Sequence, residues 1–117
     1  MTAIPYKKIG IAGVGAIGSA VARALNSEDK HIGSMQLECI SDPYAKEHFG
    51  VDNVSFKALT ERSDLIIECL PADVVPELAK VVFDAGKDII FISAAALLNH
   101  PEILKGLRVS KSKAYLP

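Results

Sequence analysis

Gly13, Gly15 and Gly18 stand in the stretch "IGIAGVGAIGSAVARAL" at the spacing G-x-G-x-x-G, and Asp42 follows 24 positions beyond the last of them. Each glycine has a mechanical job at that spacing. Gly13 permits a tight turn, Gly15 leaves bare backbone for a pyrophosphate, and Gly18 allows close helix packing. The first N–H groups of the helix that follows, near Ala16 and Ile17, lack intrahelical partners and point at the anion, aided by the helix dipole. Asp42 is the acidic residue that such a site sets against the hydroxyls of an adenosine ribose. The chemistry indicated is dinucleotide binding. No arginine or lysine follows Asp42 directly, and the nearest base is Lys46, which favours NAD and leaves NADP open. Two plainer roles compete: a glycine-rich turn needed only for packing, and an Asp before Pro43 that bonds its own backbone.

Two further stretches belong at the same edge. Leu70, Pro71 and Ala72 stand within "ECLPADVV", and Ser93, Ala94 and Ala95 follow "KDIIFI". Both would lie at the carboxyl ends of strands, where ligands bind in sheets of this kind. Leu70–Ala72 would wall the ribose on the nicotinamide side, and the small Ser93–Ala95 would leave room for the nicotinamide ring. Glu68 is a carboxylate inside an apolar strand and needs a partner if buried; its role stays open. His31 and His48 lie in polar segments and read as solvated, and His100 before Pro101 reads as a helix-start residue. The sequence offers no Ser/His/Asp set, no paired-carboxylate dyad and no metal-ligand cluster. Cys39 and Cys69, 30 positions apart and without a C-x-x-C pair, read as buried thiols of a reducing cytosol.

The elements that must position these residues alternate. Strands are expected over Lys8–Ala12, Met35–Ser41, Val54–Phe56, Asp64–Leu70, Lys87–Ser93 and Lys113–Leu116. Helices are expected over Ala16–Asn26 (with Ile17, Val21 and Leu25 on one face), Ala45–Phe49, Val74–Ala85 capped by Asp73, and Pro101–Leu107. Gly50 and Gly86 stop two of them. Buried apolar strands alternating with helices predict an α/β domain: a doubly wound parallel sheet of Rossmann type with helices on both faces.

The bulk numbers narrow the class. The 117 residues suffice for one dinucleotide-binding domain over 1–117. Half are hydrophobic and 23% charged, which excludes disorder. A net charge of −1 carries no footprint for nucleic acid or an anionic membrane. No apolar stretch approaches the roughly 18 residues of a membrane span. The opening "MTAIPYKKIGIAG" lacks the apolar region and cleavage site of a secretory signal, so a cytoplasmic location is expected.

The stretches "IGIAGVGAIGSAVARAL", "SDLIIECLPADVVPELA", "GKDIIFISAAALL" and "AYLP" together resemble the N-terminal cofactor domain of the L-aspartate dehydrogenase family. That domain is similar to the NAD-binding domain of homoserine dehydrogenase. The resemblance implies oxidation of L-aspartate with NAD(P), through an imino acid that hydrolyses to oxaloacetate and ammonia or feeds NAD synthesis. It implies cofactor contacts at Gly13, Gly15, Gly18 and Asp42, with Leu70–Ala72 and Ser93–Ala95 beside them. It also implies a substrate domain beyond "YLP" that holds the amino-acid substrate and the catalytic histidine, so this chain should bind cofactor without turnover. "ECLPADVV" departs from the small-residue run usual in the family. A homoserine dehydrogenase-like or other oxidoreductase, or a non-catalytic NAD(H)-sensing module, is the alternative, and a homo-oligomer is left open.

Overall fold

The isoleucine-rich runs pair edge to edge. In a computed structural model that describes residues 6–27 and 33–116, β1 (Lys8–Ala12), β2 (Gln36–Ser41), β3 (Asp52–Asn53), β4 (Leu65–Glu68), β5 (Asp88–Phe91) and β6 (Ala114–Tyr115) form one sheet. All pairings are parallel, in the order β3-β2-β1-β4-β5-β6. Chain order reverses between β1 and β4, which opens a crevice at their carboxyl ends. His31 lies outside the described residues.

Helices α1 (Ala16–Asn26), α2 (Phe56–Arg62), α3 (Val75–Asp84), α4 (Ala94–Asn99) and α5 (Glu102–Val109) cover the sheet. Ile11 and Ile40 pack with Ala22 of α1 and with Phe49, while Ala12, Ile66, Ile89 and Phe91 pack with Leu59 of α2, Leu78 and Val82 of α3 and Ile103 of α5. Two apolar clusters on two faces explain why the strands read as continuous apolar runs. The doubly wound expectation holds.

Several local expectations do not. Ala45–Phe49 is irregular backbone rather than a helix; it ends in a reversal, with Phe49 at φ 58° and Gly50 at φ 77°, that buries the Phe49 ring. Val54–Phe56 is not a strand. The third strand is Asp52–Asn53, and Phe56 already begins α2, whose N-cap Ser55 accepts a hydrogen bond from the Ala58 N–H at 3.2 Å. Asp73 does not cap. Pro71, at φ −58°, opens a 3-10 turn over Ala72–Val74, and α3 starts at Val75 without a side-chain cap. Ser93–Ala95 is not all loop, since Ala94 starts α4. On α1 the buried residues are Gly18 and Ala22, and Ile17 is 57% exposed; only small residues fit where the helix approaches the sheet so closely.

Gly10 is buried in β1 and sets how closely α2 approaches. A β-carbon at Gly10 would fall on Ser63 Oγ and 2.9 Å from Leu59 Cδ1, both of them buried residues. Gly10→Ala should therefore destabilise the fold by about 1–3 kcal/mol through overpacking. Urea unfolding checks this: the midpoint should fall while the slope stays unchanged.

Candidate functional site

The first strand ends in a crowded turn. Gly13 takes φ +88°, and a β-carbon on it would fall on the Cys69 carbonyl oxygen. Its N–H donates to the Ser41 carbonyl at 3.0 Å. A β-carbon on Gly18 would fall on the Gly13 carbonyl oxygen and lie 3.4 Å from Cys69 Cβ. Gly15 differs from both: nothing lies within 4 Å of its β-carbon position. Gly15 is also the N-cap of α1 and supplies no side-chain cap, and the first turn carries no acidic residue. The N-terminus of an eleven-residue helix is thus left with unsatisfied N–H donors at Ala16 and Ile17, on an exposed face. The residues present fit a pyrophosphate.

Asp42 stands at the carboxyl end of β2, beside that turn. Its Oδ2 accepts from the Val14 N–H at 2.9 Å, and its Oδ1 accepts from the Tyr44 N–H at 2.9 Å. The second of these bonds is the plain turn role and the first ties the carboxylate to the glycine loop, so the two coexist. The backbone of Asp42 is gripped by the Asn53 amide: the Asp42 N–H donates to Oδ1 at 3.0 Å, and Nδ2 donates to the Asp42 carbonyl at 2.7 Å. An ionised carboxylate has about four acceptor positions. These two bonds leave capacity on each oxygen for a sugar hydroxyl.

Gly13, Gly15 and Asp42 open on one cleft of about 550 Å³, walled also by Pro43, Tyr44, Phe56, Cys69, Leu70, Pro71, Val74 and Glu77. The cleft thus brings together the glycine turn, Asp42, Leu70 and Pro71. Ala72 and Ser93–Ala95 are not among its walls. Ser93 sits behind it on Glu68, and Ala94 and Ala95 are exposed at the start of α4. Glu68 is fully buried and finds its partners in the two loops that flank this edge, Leu70 and Ser93. His48 is exposed, and His100 lies between α4 and α5 with Nδ1 3.3 Å from Glu102 Oε1.

Tyr44, Phe56 and Cys69 were not legible as site residues. Tyr44 directly follows the Asp-Pro turn, a position that could have marked it. Cys39 is buried as expected, but Cys69 is only half-buried, because β4 ends one residue earlier. No helix among the described residues is long and apolar enough to cross a membrane, and no group of three His, Cys, Asp or Glu residues among them could hold a metal ion.

The chain is similar to cofactor-binding parts of known dehydrogenases. The family described as "D-isomer specific 2-hydroxyacid dehydrogenase, NAD binding domain" matches residues 1–82. L-aspartate dehydrogenase 3 of Bordetella bronchiseptica is 32% identical over 93% of the chain and 42% of its own length. An L-aspartate dehydrogenase of Bradyrhizobium diazoefficiens is 23% identical over 99% of the chain and 43% of its own length. The chain therefore spans less than half the length of either relative. The crystal structure of aspartate dehydrogenase from Thermotoga maritima superposes with a TM-score of 0.69, at 18% identity, over 95% of this chain and 45% of that one. That likeness carries the fold alone.

Cys69 reports on the cleft. Burial, and secondarily the neighbouring Glu68 carboxylate, push its thiol up to about 11. The thiolate is the reacting form, so a raised value keeps Cys69 neutral and slow at physiological pH. Alkylation by iodoacetamide, mapped to Cys69, should quicken steadily through pH 8–10 and level only near the value of about 11. Levelling near the ordinary thiol value of about 8.5 would mean that the thiol is solvated.

Proposed function

The chain belongs to the NAD-binding domain family of the D-isomer specific 2-hydroxyacid dehydrogenases, and on that footing we propose that it is the cofactor half of an NAD(P)-dependent L-aspartate dehydrogenase. One observation carries the reading: the open backbone face at Gly15 and the Asp42 carboxylate line the same cleft at the carboxyl ends of the strands. Gly13, Gly15 and Gly18, with the N–H groups of Ala16 and Ile17, hold the pyrophosphate. Asp42 takes the adenosine ribose, and the loops Leu70–Ala72 and Ser93–Ala95 flank the nicotinamide end. The bound dinucleotide supplies the hydride acceptor, while the chain supplies position and electrostatics. The names of the curated relatives supply the substrate in this reading: L-aspartate, oxidised to an imino acid that releases ammonia on hydrolysis. The substrate itself is held by a second domain, and the enzyme works in the cytosol.

A carboxylate at the ribose repels a 2′-phosphate and favours NAD. Arg23 shares a recess with Asp42, Lys46 and Glu47, and there it faces the Glu47 carboxylate. It lies 3.6 Å from Glu47 and over the Phe49 ring, 5.7 Å from its centre.

Asp42→Ala should weaken NAD binding by about 1–3 kcal/mol, the scale for removing a partner of hydrogen-bonded groups. Calorimetry decides it, and unchanged affinity returns Asp42 to its turn role. Gly15→Val fills the open face and should abolish NAD binding while costing the fold only the lost glycine N-cap, about 1 kcal/mol; normal binding by that variant would place the cradle elsewhere. The substrate is tested by L-aspartate-dependent NADH formation in an enzyme that carries this chain as its cofactor half. Turnover of homoserine in preference to aspartate would overturn the assignment.

A further inference from the structure

Glu68 is an expensive residue where it stands. It has no exposed surface, and burying a carboxylate costs several kcal/mol unless it is paired or fully hydrogen-bonded. No lysine, arginine or histidine side chain among the described residues bonds to it. All its donors come from two loops. Oε2 accepts from the Leu70 N–H at 2.6 Å and lies 2.8 Å from Ser93 Oγ, and Oε1 accepts from the Ser93 N–H at 2.9 Å. Ser93 Oγ also lies 2.9 Å from the Leu70 carbonyl oxygen, which closes the link between the loops.

The position explains the cost. Pairing of β4 with β5 ends at Glu68 and Phe91, and the last bond across the gap runs from the Ile92 N–H to the Glu68 carbonyl at 3.2 Å. Beyond it the two chains diverge, one into the 3-10 turn at Ala72 and the other into α4 at Ala94. The Glu68 carboxylate continues the cross-strand connection where the backbone ladder cannot. An apolar side chain could fill the volume, but it would leave the N–H groups of Leu70 and Ser93 without their acceptor.

We propose that Glu68 is a positioning residue for the nicotinamide half of the dinucleotide: its carboxylate ties the Leu70 loop, which walls the cleft, to the Ser93 loop behind it. The inference rests on the function proposed above. It separates two tasks within the cleft. The glycine turn and Asp42 hold the adenosine half, and the Glu68 carboxylate bonds to neither. On the other side the Leu70 and Ser93 loops are cross-linked by the Glu68 carboxylate together with the Ser93 hydroxyl, which lies within reach of the Leu70 carbonyl.

The test compares NADH with ADP-ribose, which keeps the adenosine, the pyrophosphate and the second ribose but lacks nicotinamide. Both are titrated calorimetrically into the wild-type chain, Glu68→Gln and Ser93→Ala. Glu68→Gln keeps the shape and replaces one acceptor oxygen by an amide nitrogen; Ser93→Ala removes only the hydroxyl and keeps the chain foldable. With hydrogen bonds to a charged group at stake, Glu68→Gln should weaken NADH about tenfold and ADP-ribose less than about twofold, with Ser93→Ala showing the same selectivity more weakly. Equal weakening of both ligands, or of neither, would overturn the positioning role and leave Glu68 a fold residue. Failure of the wild-type chain to bind ADP-ribose would instead overturn the proposed function, and this inference with it.

Discussion

Three backbones meet at the carboxyl end of β1 at a separation that admits no side chain. The Cys69 carbonyl lies under Gly13, Gly18 of α1 rests on the Gly13 carbonyl, and the next residue, Val14, gives its N–H to Asp42. Move any one of these and the other two must follow. The turn fixes where α1 begins, and so where its unsatisfied N–H groups point. It also fixes the distance from the glycine loop to β2 and thus brings the Asp42 carboxylate to the cleft. Bare backbone at Gly15 is useful only because the glycines on either side are immovable. Free space without that rigidity would be a mobile loop rather than a cradle.

The parallel sheet imposes the second condition. Every strand delivers its carboxyl end to the same edge, so polar groups from distant parts of the chain collect there without any local sequence signal. Parallel strands also diverge at that edge as each turns away to its own crossover. A protein that binds a long ligand across such an edge needs cross-links where the ladder stops. Here they are side chains: the Asn53 amide holds the backbone of Asp42 beside β3, and the Glu68 carboxylate holds the loops after β4 and β5. Each lies just where the strand pairing runs out.

Periodicity and glycine spacing disclosed the architecture and the cradle because both depend on short-range chemistry. The run "KIGIA" with its three following glycines fixes a strand, a turn and a helix within a few residues, and the structure keeps those bounds. The failures have equally local causes. "AKEHF" has helix formers but also a buried Phe49 at positive φ, and burial of the ring decided the matter over propensity. "NVSFKALTER" hid its helix behind the β-branched Val54 and the aromatic Phe56, although Ser55 is a serviceable cap. The role of Glu68 was invisible for a different reason. Its partner Ser93 stands 25 residues away, and only the sheet brings the two together.

Gly10 carries one more consequence, this time for heredity. Its absent β-carbon is already occupied by Ser63 and Leu59, so the identities of these three residues are not independent. A larger residue at position 10 is tolerated only with a smaller one at 59 or 63. The first strand and the end of the second helix are thus sterically coupled, and a change on one side calls for a compensating change on the other.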